Sequence, residues 1–524
     1  MSKPGTDRVN KKSMVDMNKN CLKVLTATGL MITSTLNSCK TEFKDNSVKN
    51  QNKPNILFLL ADDQRADALG TSGNTYIRTP NIDKLAENGI RFSNCYVMGG
   101  HHGAISAPSR AMLLSGKNLF HVYDVLDGVT TMPMYFAQYG YETFGTGKWH
   151  NGAKTFEASF QKGENVFLGG MSDHFNVPCR SLGTDGKLSA PEKKGFSTDL
   201  FADAAIGFLN SYAKGTREKP FFCYVAFTAP HDPRSPREDY IGMYTDESMP
   251  LPGNFKTLHP FEFDDLNIRD ETLAPWPRTL EIIQASLADY YALISHLDSR
   301  IGDIIQTLKK EGFYENTIIV YAADNGLAIG SHGLLGKQNL YEHSMKVPLI
   351  FRGPGIPEKG VRDALVYLYD IFPTLANLCN LPAPDGVDGK NFVPVILGKE
   401  NEIRSSLYTV YRNTARAVRT DEWKLIRYPQ RNYTQLFNLK EDPLEINNLA
   451  TLPAYQSKVD EMMVLLKEWH TLTNDTATLT PKTFLPLEYD YTKLKQIPDI
   501  QQPEYILKKY FKEADLKHLE KAVH

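Results

Sequence analysis

The hydrophobic positions of this chain fall into two rhythms. Unbroken apolar runs occur at Asn55–Leu60 (NILFLL), Phe221–Phe227 (FFCYVAF), Thr317–Ala322 (TIIVYA) and Val347–Phe351 (VPLIF). Runs of this length, bounded by polar or turn residues, predict strands buried on both faces. Between them the period lengthens. From Leu280 to Lys309 apolar residues recur at Ile283, Leu287, Tyr291, Ile294, Leu297, Ile301, Ile304 and Leu308, which predicts a long amphipathic helix. Buried strands alternating with helices predict an α/β domain: a large, mostly parallel sheet flanked by helices.

After about Gly398 the texture changes. Leu407–Tyr411 and Trp423–Tyr428 are short alternating stretches that predict a smaller antiparallel sheet, and a helix from Tyr455 to Thr471 is expected to pack on it. The last fifty residues, with Pro481, Pro486, Pro498 and Pro503, read as an extended wrap closed by a charged helix. The expected organisation is an α/β domain over 54–398, a C-terminal α+β subdomain over 399–475 and an extension over 476–524.

The N-terminus has a different character. Lys19 and Lys23 precede an apolar run from Val24 to Leu36, thirteen residues long, which is too short to span a bilayer and fits a signal-peptide core. The run closes on Leu36-Asn37-Ser38-Cys39, which resembles a bacterial lipobox and makes Cys39 the candidate lipidated residue. A plain signal peptide with an incidental cysteine is the alternative, and Met17 is an alternative start. Residues 1–39 are thus expected to be a leader and 40–53 a polar tether, giving an exported protein of the periplasm or outer membrane and cell surface. Its contact with the membrane would be through a lipid anchor only.

Composition narrows the function classes. With 524 residues, 41% hydrophobic and a net charge of −2, the chain can bury a large core and offers no electrostatic case for nucleic acid. Its six cysteines, at 21, 39, 95, 179, 223 and 379, show no Cys-x-x-Cys spacing, so a zinc or iron–sulfur centre is not expected. The sequence leaves disulfides open.

Three motifs carry chemistry. Asp62-Asp63 ends the first apolar run, and Asp324-Asn325-Gly326 directly follows another. Strand ends are where open α/β sheets build their sites, and two such ends offering hard oxygen donors suit Ca²⁺ or Mg²⁺. Taken singly, each is also an ordinary acidic or Asn-Gly turn. The third motif is Ser106-Ala107-Pro108-Ser109-Arg110 through Gly116. Pro108 suits a first helical turn, whose free N–H groups favour an anion near Ser106, and Arg110 adds a planar fork of donors.

The run Ser-x-Pro-Ser-Arg-x-x-x-Leu-x-Gly resembles the maturation signature of the formylglycine-dependent type I sulfatases, of the alkaline phosphatase superfamily. The resemblance extends from about Asn55 to the stretch Gln435–Ala450 (QLFNLKEDPLEINNLA). It implies that Ser106 is oxidised to formylglycine (3-oxoalanine) by a serine-type radical-SAM maturase. It also implies Ca²⁺ held by Asp62, Asp63, Asp324, Asn325 and the modified residue 106. In the segment GKWH it makes Lys148 a sulfate-binding lysine and His150 a histidine acting on the formylglycine. In APHDPR it makes His231 the histidine of the leaving group, and in SHGLLGK it makes Lys337 the second sulfate-binding lysine. Arg110 would neutralise charge beside residue 106. Arg234 is the candidate for gripping a neighbouring group of the substrate, the alternative being a local ion pair with Asp232. The implied substrate is a sulfated glycan such as ulvan, carrageenan, a glycosaminoglycan or a mucin glycan. The rival functions are a phosphonate or phosphate ester hydrolase on the same scaffold and a non-catalytic glycan-binding lipoprotein.

Overall fold

The computed structural model describes residues 53–512 apart from 194, 495–497 and 500, together with residue 516. The leader, Cys39 and all but the last residue of the expected tether lie outside the described residues. From residue 52 onward the chain forms one compact unit.

The apolar runs become the middle of a mixed sheet. Among the described residues its strands lie in the order Gly360–Arg362, Ile90–Tyr96, Lys346–Arg352, Thr317–Ala323, Asn55–Ala61, Phe221–Ala226, Glu142–Lys148 and Lys162–Phe167, with Val366–Tyr367 also on Ile90–Tyr96. Asn55–Ala61 lies at the centre, parallel to both Thr317–Ala323 and Phe221–Ala226. All three strands are buried along their whole length, as unbroken hydrophobic runs require once helices cover both faces. Lys346–Arg352 is the exception in direction, since it runs antiparallel to both of its neighbours. The long helix spans Leu280–Lys310 and starts on Thr279, whose side chain accepts from the Ile282 amide. No helix among the described residues is long and apolar enough to cross a membrane.

The second sheet carries Leu407–Tyr411, Ala415–Arg419, Trp423–Tyr428 and Tyr433–Asn438 as an antiparallel meander, and the helix Gln456–Leu472 packs on it through Val459, Met462 and Leu466. Its fifth member comes from far away in sequence: Gly99–Gly100 pairs in parallel with Val410–Tyr411. Gly99 sits at φ +97, and a Cβ there would be driven into the Val410 carbonyl oxygen, so only glycine permits this junction. The segment leading into Ser106 is therefore sewn to the C-terminal sheet.

The C-terminal extension packs against the long helix. Its helix Glu504–Tyr510 buries Ile506 and Tyr510, and with Phe511 these join an apolar cluster containing Tyr244, Ile283 and Leu287. Cys95, Cys223 and Cys379 carry free, buried thiols.

Candidate active site

Parallel pairing in register decides the first part of the site. Ala61 and Ala323 are partners at the ends of adjacent strands, so Asp62-Asp63 and Asp324-Asn325 leave the sheet side by side. The Asp324 amide donates to the Ala61 carbonyl at 3.2 Å, and the Asp63 amide donates to Asp324 Oδ1 at 3.1 Å. Asp63 holds φ 62, a left-handed backbone that costs energy for a residue with a Cβ and turns the chain sharply after the strand. All four side chains are sealed from solvent.

Ser106 is the first residue of the helix Ser106–Ser115 and points into this cluster. Its Oγ lies 3.3 Å from Asp62 Oδ1, 3.0 Å from Asn325 Oδ1 and 3.2 Å from Lys337 Nζ. One helical turn on, Arg110 is fully buried, with Nε donating to Asp324 Oδ2 at 2.8 Å and Nη1 to the Lys148 carbonyl at 2.6 Å. Its Nη2 lies 3.8 Å from Asp62 Oδ1 and has no hydrogen-bond partner among the described residues. Lys148 ends the strand Glu142–Lys148, and its ammonium bonds Asp62 Oδ2. Lys337 bonds Asp63 Oδ1 at 2.6 Å.

The electrostatics follow from packing three cations and three carboxylates into a dry volume. Burial, and then the nearby Asp324 charge, push the Asp62 carboxyl up to about 8 despite Lys148 and Arg110. Burial also raises Asp324, but Arg110, Lys148 and Lys337 overcome it and hold that carboxyl below its usual range. Burial pulls the Lys148 ammonium down, with Asp62 opposing. Burial acts on Lys337 in the same sense, yet Asp63 and Asp270 hold it above its usual value.

Two histidines complete the group. His150 sits at φ 68 against Gly170, where a Cβ would be 2.9 Å from its Nε2. Burial and the charges of Lys148, Arg110 and Lys337 push its imidazole down to about 2, so it is neutral. His231 is held by its Nδ1, which lies 2.8 Å from the Asp232 carbonyl oxygen and 3.2 Å from Asp232 Oδ1. A carbonyl only accepts, so Nδ1 carries the proton and Nε2 faces the site, 3.6 Å from Asp63 Oδ2. Burial holds His231 well below its ordinary value, against the pull of Asp232.

The structure thus brings together Asp62, Asp63, Ser106, Arg110, Lys148, His150, His231, Asp324, Asn325 and Lys337. Asp62, Asp63 and His231 offer ligand atoms within 4.8 Å of one another, enough to hold a metal ion. Arg234 is buried, and its Nε and Nη2 lack hydrogen-bond partners among the described residues. Its anticipated alternative, a private ion pair with Asp232, is not what forms: Asp232 Oδ1 accepts from Arg269 Nη1 at 3.0 Å, and Oδ2 accepts from Arg269 Nη2 and from Gln502 Nε2 at 2.7 Å. Sequence reasoning missed Arg269, Gln338 and Gln502. Only Gln338 carried a signal, as the neighbour of Lys337. Ahead of Ser106, His102 is committed to Asp124 at 2.6 Å and His101 packs edge-on against Phe120.

A family model described as Sulfatase matches residues 54–381, and one described as N-sulphoglucosamine sulphohydrolase, C-terminal, matches residues 330–471. An N-acetylglucosamine-6-O-sulfatase of Bacteroides thetaiotaomicron is 28% identical, covering 79% of this chain and 86% of its own. An ulvan-active sulfatase of Formosa agariphila is 27% identical over 87% of this chain and 88% of its own. A solved protein in complex with D-glucosamine-2-N,6-O-disulfate superposes with a TM-score of 0.69 and 26% identity, covering 81% of this chain and 99% of that one.

Proposed function

This chain belongs to the sulfatase family and is a sulfuric ester hydrolase, and from that premise we propose that it removes sulfate from a sulfated carbohydrate, using formylglycine made from Ser106 and a bound Ca²⁺. The observation that carries this reading is the convergence of Asp62, Asn325 and Lys337 on a single atom, Ser106 Oγ, at 3.0–3.3 Å. In this reading that oxygen stands where the formylglycine oxygen would be.

The residues present fit a hard cation. The carboxylates of Asp62, Asp63 and Asp324 and the amide oxygen of Asn325, all buried at two adjacent strand ends, form the oxygen donor set that a hard cation prefers. Ca²⁺ held there would polarise a sulfate oxygen and offset its charge. Nitrogen from His231 is the competing donor. Its fixed Nδ1–H leaves Nε2 as the site for a mobile proton, which suits a group that protonates the departing sugar oxygen. Formylglycine, when hydrated, supplies one hydroxyl to attack sulfur and a second whose collapse to the aldehyde expels sulfate.

The chain's own cations do the rest. Lys148 bonds Asp62 while Lys337 bonds Asp63 and Ser106, and in this reading the two ammonium groups would bind the sulfate oxygens. Arg110 is held by Asp324 and the Lys148 carbonyl, so its fork needs no reorganisation when the anion arrives. His150 is kept neutral by burial and by the neighbouring cations, and its role on the formylglycine is the one the family resemblance implies. Arg234, with donors to spare beside Asp232, is the candidate for a second polar or anionic group on the sugar. The signal-peptide and lipobox pattern ending at Cys39 supports export to the periplasm or cell surface on a lipid anchor.

Mass measurement of the peptide containing residue 106, from protein co-expressed with a serine-type maturase, tests the central claim. Loss of two hydrogens, with trapping by a hydrazide, is the expected outcome. An unmodified serine beside a maturase active on a control substrate would overturn it. The phosphonate or phosphate hydrolase alternative is separated by release of sulfate against phosphate from matched aryl esters. The glycan-binding alternative predicts retained binding without turnover after confirmed maturation.

A further inference from the structure

We infer that the C-terminal extension is a working part of the active site: Asp499 and Gln502 clamp Arg269 and Asp232 so that His231 keeps the one orientation in which Nε2 faces the scissile ester. This rests on the proposed role of His231 as the leaving-group acid.

The contacts form one connected chain. His231 Nδ1 is bound by Asp232, through the carbonyl at 2.8 Å and the carboxylate at 3.2 Å. That carboxylate is buried, and against the upward push of burial Arg269 and His231 hold it well below its usual range. Arg269 grips both of its oxygens. Two residues of the extension close the far side: Gln502 Nε2 donates to Asp232 Oδ2 at 2.7 Å, and Asp499 Oδ2 accepts from Arg269 Nε at 2.8 Å. Each Asp232 oxygen is thereby saturated from a fixed direction, and a carboxylate so held cannot swing away from the imidazole.

Arg269 also reaches the other side of the site. Its Nη1 lies 3.2 Å from Asp270 Oδ1, Asp270 Oδ2 accepts from Gln338 Nε2 at 2.8 Å, and Gln338 Oε1 accepts from the Lys337 amide at 3.0 Å. One guanidinium braces both the histidine and the sulfate-binding lysine. The extension is anchored independently of these contacts, because Tyr510 and Lys509 bond Asp289 on the long helix at 2.9 and 2.5 Å while Ile506 and Phe511 are buried. Asp499 and Gln502 can therefore be altered without releasing the strap. They are positioning residues, since their side chains bond Arg269 and Asp232 and, among the described residues, neither hydrogen-bonds Ser106.

The test uses matured full-length protein and the variants Gln502→Ala, Asp499→Ala and His231→Ala. The probes are aryl sulfates running from nitrophenyl to unsubstituted phenyl, together with ¹⁵N NMR of the histidine rings. A misplaced acid harms poor leaving groups most. The expected result in either strap variant is about a tenfold loss of kcat on phenyl sulfate, under about threefold on nitrophenyl sulfate, and little change in KM, an acid's contribution being about 10²–10⁴-fold when lost outright. In the NMR spectra the Nδ1–H form of His231 should give way to averaged tautomers. His231→Ala should show the same selectivity more strongly, with no further loss on adding Gln502→Ala. A steep leaving-group dependence in His231→Ala with none in the strap variants, or an unchanged His231 ring signal, overturns the clamp alone. A flat response in His231→Ala overturns the acid role as well.

Discussion

Arg110 donates to Asp324 across 214 residues of sequence, Nε to Oδ2 at 2.8 Å, with neither side chain exposed. A buried pair of this kind contributes little net stability of its own, but breaking it leaves a charge stranded. Arg110→Ala should therefore cost about 3–5 kcal/mol of unfolding free energy, which is the range for removing one partner of a buried pair. Arg110→Lys keeps the charge and loses the planar fork, so the fold should survive while kcat falls by about 10²–10³-fold, the range for losing one preorganised donor. Denaturation curves and single-substrate kinetics on the same samples check both. An active, stable Arg110→Ala protein would remove Arg110 from the argument.

Calcium binding should be coupled to proton release. In the metal-free protein Asp62 is pushed up to about 8, so at lower pH a proton must leave before the carboxylate can bind a cation. The sign follows. A folded-state value raised above the unfolded one opposes folding progressively as pH rises toward 8, and calcium offsets that cost. The apparent affinity for Ca²⁺ should rise by up to about tenfold per pH unit on approaching 8 and then level. The rise in Tm on adding calcium should grow in the same direction. Titration calorimetry in two buffers of different ionisation enthalpy reads the proton directly, and a pH-independent affinity between 6 and 8 would contradict the assignment.

Gly99 should tolerate no side chain. Its φ of +97 and its contact with Val410 both exclude a Cβ, and the junction fixes the segment that delivers Ser106. Gly99→Ala is expected to lower stability by about 2–4 kcal/mol, the scale of overpacking combined with an incompatible backbone. Oxidation of residue 106 by the maturase should be unimpaired if that enzyme acts on the unfolded chain, so mass spectrometry and denaturation together separate the two effects. A variant as stable as the parent would refute the steric reading.

Arg234 should act on substrate recognition rather than on bond cleavage. Its Nε and Nη2 have no hydrogen-bond partner among the described residues, and its charge acts on the Asp232 carboxyl. Arg234→Met is expected to raise KM for an accepted sugar sulfate by about tenfold or more, the cost of one charged hydrogen bond, with nitrophenyl sulfate nearly unaffected. Equal losses on both substrates would assign Arg234 to the architecture of the pocket instead.

Much of this was written in the sequence because short-range physics determines it. The unbroken runs at Asn55–Leu60 and Thr317–Ala322 can be satisfied only by burial on both faces, and both are central strands. The period from Leu280 to Lys309 gave the long helix to within one residue. Asp62, Asp63, Asp324 and Asn325 follow such runs directly, so their place at the end of a parallel sheet was legible, and a family resemblance supplied Lys148, His150, His231 and Lys337. What the chain could not disclose locally is everything that depends on which distant segments meet. The antiparallel setting of Lys346–Arg352, the recruitment of Gly99–Gly100 into the C-terminal sheet, and the closure of Asp499 and Gln502 over Asp232 leave no periodic trace. Hydrophobic pattern reports how a segment faces its own core. The partner of a buried carboxylate is chosen by tertiary packing, because only there do desolvation and charge compensation act on residues hundreds of positions apart.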